Sequence, residues 1–139
     1  MLRLALFLGV LAAGTQLWAA EPAIAVKDPW ARTPIGLAAV SAAYAVLADT
    51  SGQGDVLTGV ETLNGGKASL HETTNEDGIL RMRARDTLVV PAKGRLELKE
   101  SGPHIMLMEL PKGLKPGDTL PLRLHFKRSG DVVVNFALK

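Results

Sequence analysis

From about residue 23 onward the sequence is a succession of short apolar or alternating runs, each closed within a few residues by Gly, Pro, Asp or Asn. A period of two puts every second side chain on one face, which is what a strand half-buried against a core requires. Strands are therefore predicted over 23–28, 39–48, 55–62, 67–73, 79–84, 86–90, 94–99, 103–110, 119–127 and 131–138. Turn chemistry lies between them, at Asp49 to Gly54, Asn64-Gly65-Gly66, Asp77-Gly78, Pro91 to Gly94, Ser101 to Pro103, Lys115 to Asp118 and Ser129-Gly130-Asp131. About eight to ten short strands at such regular spacing predict an all-β sandwich or barrel. The run Ser41 to Ala48 is Ala-rich enough to pass for a helix, but Tyr44, Val46 and Ala48 alternate, which favours a strand.

Residues 1–20 have a different character. Arg3 supplies a positive start, Leu4 to Leu11 are almost all apolar, and Ala19 and Ala20 are small. This is the layout of a secretory signal peptide, too short and wrongly flanked for a stable membrane span. Cleavage is expected after residue 19 or 20, or after 25, where Ala23-Ile24-Ala25 is the cleaner small-x-small match. Residues 21–139 are then one exported domain. Without Arg3 the domain carries 15 basic and 14 acidic side chains, a balance that gives no basic surface for nucleic acid. There is no cysteine. An exported fold without disulfides rests on its core, and a soft-metal site in an oxidising compartment is better built from thioether than from thiol.

Beyond the initiator the chain has three Met and three His, and five of these six lie between His71 and Met108. His104 and Met106 occupy positions i and i+2 of a predicted strand, so their side chains project from the same face. His71 and Met82 flank the turn at Asp77-Gly78. A two-residue hairpin there sets Thr73 opposite Met82 and leaves His71 one diagonal step away on the same face. Two imidazoles and two thioethers with no carboxylate suit a soft monovalent ion, Cu⁺. Ca²⁺ and Mg²⁺ need oxygen ligands, zinc sites use His, Cys and carboxylate, and a blue-copper centre needs a Cys thiolate.

The spacing is His71, ten residues, Met82, twenty-one residues, then His104-x-Met106. Together with LHETTNEDGILRMR at 70–83, PAKGRLELKESGPHIMLMEL at 91–110 and PWAR at 29–32, it resembles the periplasmic copper chaperone family PCuAC. The resemblance implies a cupredoxin-like Greek-key β-sandwich, one Cu(I) held by His71, Met82, His104 and Met106, and a periplasmic location. It also implies delivery to the CuA centre of cytochrome c oxidase, in some cases with a Sco-type thioredoxin-like protein. A monomer is expected. One departure stands out: Glu109 occupies a position where the family usually has Gly. Some relatives also carry a His- and Met-rich tail, absent after Phe136-Ala137-Leu138-Lys139, so no second, Cu²⁺ site is expected.

Other candidates read as structural. Met108 shares the parity of His104 and Met106, yet core packing is the ordinary role of Met. His125, in LRLHF, is expected on the sheet surface, and Trp30 as a core or rim aromatic. Asn75-Glu76-Asp77-Gly78 lacks the alternating oxygens of a calcium loop and reads as a turn. No nucleophile–base set or phosphate loop is present, so an enzyme is not expected. The alternatives to a carrier are a copper storage or detoxification binder, and a metal-free envelope sandwich that binds another protein by an edge strand.

Overall fold

The computed structural model describes residues 23–36 and 40–139, so the leader expected over 1–20 lies outside the described residues. Ten strands and no helix make up the described chain. They are β1 (Ile24–Ala31), β2 (Ser41–Asp49), β3 (Asp55–Thr62), β4 (Lys67–Glu76), β5 (Ile79–Ala84), β6 (Leu88–Val90), β7 (Arg95–Glu97), β8 (Pro103–Met108), β9 (Thr119–Phe126) and β10 (Gly130–Leu138). The all-β expectation holds, and the Ala-rich segment is strand β2.

The strands hydrogen-bond in the order β5-β4-β8-β2-β1-β10-β9-β3-β6, with β7 also paired to β2. Neighbours are antiparallel except β1 and β10, which run parallel. Strands β3 and β4 touch although the order separates them, so the sheet folds back on itself around one core. Alternation explains which side chains enter that core. In β9, Leu120, Leu122, Leu124 and Phe126 are buried while the residues between them face outward. In β4 and β8 the paired Leu70 and Ile105, together with Leu107, point inward. Burial of each such side chain contributes about 1.5–3 kcal/mol.

Local chemistry sets the strand ends. The β4–β5 turn is Asp77-Gly78, with φ of 55° and 85°, and Asn75 Oδ1 accepts from the Gly78 N–H at 2.8 Å. Two successive residues with positive φ match the twist of a tight hairpin. Strand β1 runs past its expected end because Asp28 takes φ 49° and the register shifts between Lys27 and Trp30. Trp30 therefore lies within the strand, opposite Tyr44. Strand β8 stops at Met108, short of its expected end, because Glu109 adopts φ 55°.

Candidate metal centre

The site is built on three adjacent strands. In the β4–β5 ladder Thr73 pairs with Met82 and His71 with Ala84, the register that a two-residue hairpin dictates. In the β4–β8 ladder His71 pairs directly with His104, and Ser69 with Met106. Directly paired residues share a face, as do residues two apart on one strand. His71, Met82, His104 and Met106 therefore occupy one face of β5-β4-β8, opposite the face on which Leu70 and Ile105 enter the core.

The imidazole rings of His71 and His104 lie 6.1 Å apart between centroids, with planes inclined at 24°. His104 is buried, His71 and Met106 are half-buried, and Met82 is 52% exposed on the edge strand. Arg32, Val40, Ser41, Ala42, Met82, His104 and Met106 line a shallow hollow of about 290 Å³ on this face. None of them is a carboxylate, and Arg32 is turned to an ion pair with Glu100.

Each imidazole is oriented by a neighbour. The Nδ1–H of His104 donates to the Gly102 carbonyl at 3.0 Å, so the neutral ring carries its lone pair on Nε2. Gly102 is itself fixed by accepting from the Thr73 N–H at 3.0 Å, a bond that ties the loop before β8 to β4. Behind His104 stand Tyr44, 6.5 Å away between ring centroids, and Trp30, 4.8 Å from Tyr44. His71 Nε2 lies 2.9 Å from Ser69 Oγ, and its Nδ1 is buried without a hydrogen-bond partner. Burial, and secondarily the nearby His104, holds the pKa of His71 below its ordinary value, favouring the neutral ring that a metal requires. An unpaired buried nitrogen beside a second oriented imidazole and two thioethers is a donor set that fits a soft cation.

The remaining candidates fall elsewhere. Met108 was expected in the core. It is half-buried opposite Lys67, outside the core cluster, because its parity keeps it on the outer face with Met106. His125 is a sheet-surface residue on β9, its Nδ1 2.6 Å from Asp131 Oδ1. Trp30 is a half-buried rim aromatic with the Lys139 ammonium over its ring. Sequence reasoning did not single out Ser69, Gly102 or Tyr44. For Ser69 the signal was available, since it stands two residues before His71 on the same strand; for Tyr44 and Gly102 there was none, because their roles depend on long-range pairing.

Known proteins of the same fold give the context. The copper-bound PCuAC domain from PmoF2 superposes with a TM-score of 0.71 at 21% identity, covering 87% of this chain and 96% of that one. The solution structure of CuI-DR1885 from Deinococcus radiodurans gives a TM-score of 0.64 at 31% identity, covering 91% of this chain and 83% of that one. The uncharacterized protein RP573 from Rickettsia prowazekii (strain Madrid E) is 28% identical over 120 residues, which span 84% of this chain and 66%, just under two thirds, of that relative. The family profile of LpqE-like lipoproteins matches residues 24–138, nearly the whole described chain. The chain thus belongs to the LpqE-like family, which is related to the PCuAC domains.

Proposed function

We propose that this protein is an exported Cu⁺ carrier that holds one ion with His71, Met82, His104 and Met106 and hands it to an acceptor such as the CuA centre of cytochrome c oxidase. The observation that carries the reading is the register pair His71–His104, flanked on the same face by Met82 and Met106. Four neutral donors around a monovalent ion leave a small net charge and select against hard divalent ions. The fold shared with a copper-bound PCuAC domain and with CuI-DR1885 supports copper as the cargo. Membership of a lipoprotein-type family and a signal-like leader support export to the periplasm.

Transfer follows from the asymmetry of the site. His104 sits deep and is fixed by a backbone carbonyl, whereas Met82 lies half-exposed on an edge strand. Met82 is the ligand an acceptor can displace first, and thiolates on the acceptor, being stronger donors than thioether, draw the ion onward. Anaerobic Cu⁺ competition against a chromophoric chelator tests the assignment. Alanine at His71, Met82, His104 or Met106 should each weaken binding; four variants with wild-type affinity would reject the site. Mixing the loaded protein with apo acceptor separates a donor from a storage protein, since a storage protein retains its copper.

A further inference from the structure

The two imidazoles are held by different kinds of partner. His104 donates Nδ1–H to a carbonyl, a group that only accepts, so its tautomer is settled. His71 meets a hydroxyl: Ser69 Oγ lies 2.9 Å from Nε2, and a hydroxyl can donate or accept. The other nitrogen of His71, Nδ1, is buried and unpartnered. Two neutral tautomers follow. In one, Nε2 accepts from Ser69 and Nδ1 carries a buried proton with no acceptor. In the other, Nε2–H donates to Ser69 and Nδ1 carries a bare lone pair. Buried N–H groups without an acceptor are rare in folded proteins, whereas under-satisfied acceptors are tolerated more readily. The second tautomer is the lower in energy.

We infer that Ser69 is a positioning residue that holds His71 in its Nε2–H form and so makes Nδ1 the nitrogen that His71 offers to the ion. The inference rests on the Cu⁺ site proposed above and adds which atoms compose it: Nδ1 from His71 and Nε2 from His104. The two rings then serve the centre differently. Nδ1 is next to the ring's attachment to the main chain, so the ion is held close to β4, while His104 reaches with its far nitrogen from β8. Ser69 stands two residues before His71 on the same strand, opposite Met106, so the support comes from a rigid element rather than a loop. Outer partners of this kind fix the tautomer and orientation of metal-binding histidines, and their loss typically weakens affinity about tenfold or more.

The test is NMR on the ¹⁵N-histidine-labelled protein, without metal and with Ag⁺ as a diamagnetic stand-in for Cu⁺, above the titration range of imidazole. Long-range ¹H–¹⁵N correlations should give the Nε2–H pattern for His71 and the Nδ1–H pattern for His104. Ag⁺ should shift the His71 Nδ1 signal. Ser69→Ala should keep the backbone amide spectrum, convert His71 to a tautomer mixture and weaken Cu⁺ binding about tenfold. Ser69→Thr should restore both tautomer and affinity. An Nδ1–H pattern for His71 in the wild type, or an unchanged tautomer in Ser69→Ala, overturns the inference. Because the tautomer is read without metal, the two readings fail separately: a wild type that binds neither Cu⁺ nor Ag⁺ overturns the carrier function and the ligand role of Nδ1, while the hold of Ser69 on His71 is still decided by the metal-free spectrum.

Discussion

Replacing His71 with leucine should stabilise the metal-free protein while removing its response to copper. In the folded state Nδ1 of His71 is buried without a partner, and a buried polar group left unpaired costs about 1–3 kcal/mol. The substitution removes that cost. It also removes the Nε2 hydrogen bond to Ser69, at 2.9 Å, a bond of a kind that contributes about 0.5–1.5 kcal/mol net. Leucine suits a half-buried strand position paired with Ala84 and His104, so the net change is a gain of about 1 kcal/mol, or a rise in Tm of about 4 °C for a domain of this size. Copper reverses the order. An ion present at a hundred times its Kd stabilises the wild type by about 2.7 kcal/mol, and the leucine variant, short of one ligand, should gain far less. Urea unfolding of both proteins, with and without anaerobic Cu⁺, measures all four values. A metal-free His71→Leu protein less stable than wild type by more than about 1 kcal/mol would refute the reasoning, because the imidazole would then be fully satisfied in the empty site.

Further outcomes follow from other parts of the structure. Because the folded protein holds His71 below its ordinary value of 6.5, the unfolded chain takes up its proton first as pH falls. The His71 contribution to metal-free stability is therefore full above pH 6.5 and is lost as pH drops through that value to the lower folded one; urea midpoints across this range should slope for the wild type, and the slope should shrink in His71→Leu. Glu109 is exposed with φ 55°, and its ion pair with Lys67, at 3.6 Å between two largely exposed side chains, offsets little of that strain. Glu109→Gly should be neutral to about 1 kcal/mol more stable and Glu109→Val less stable by about 1–2 kcal/mol, so equal thermal midpoints for the two would contradict a left-handed residue there. Gly66 has φ 93°, and a Cβ on it would lie 2.8 Å from the Met108 carbonyl oxygen. Gly66→Ala should therefore cost about 2 kcal/mol or more and loosen the β4–β8 pairing, visible as faster amide exchange in both strands; unchanged exchange would speak against it.

The parts of this architecture that depend on neighbouring residues were legible in the sequence. Alternation in Thr119–Phe126 gave the buried Leu120, Leu122, Leu124 and Phe126, and Asp77-Gly78 fixed the hairpin that sets Thr73 against Met82. The same local rule put His104 beside Met106. What no local rule supplies is the pairing of β4 with β8, which joins residues more than thirty positions apart and brings His71 onto His104. Strand ends set by backbone conformation were also invisible. Asp28 and Glu109 take positive φ although neither is glycine, so β1 ran longer and β8 shorter than alternation implied. Met108 shows parity outweighing habit: a methionine is usually packing material, but its place two residues past Met106 puts it on the outer face. Partners such as the Gly102 carbonyl escape sequence reading because they act through the main chain, where residue identity says little.

Copper X-ray absorption on the anaerobically loaded protein addresses the central assignment most directly, since it separates nitrogen from sulfur neighbours around the metal. Two nitrogen and two sulfur scatterers at one Cu⁺ per chain are expected, with one sulfur lost in Met82→Ala and one nitrogen lost in His71→Ala. A shell of oxygen and nitrogen alone, or a sulfur count untouched by both Met82→Ala and Met106→Ala, would contradict it.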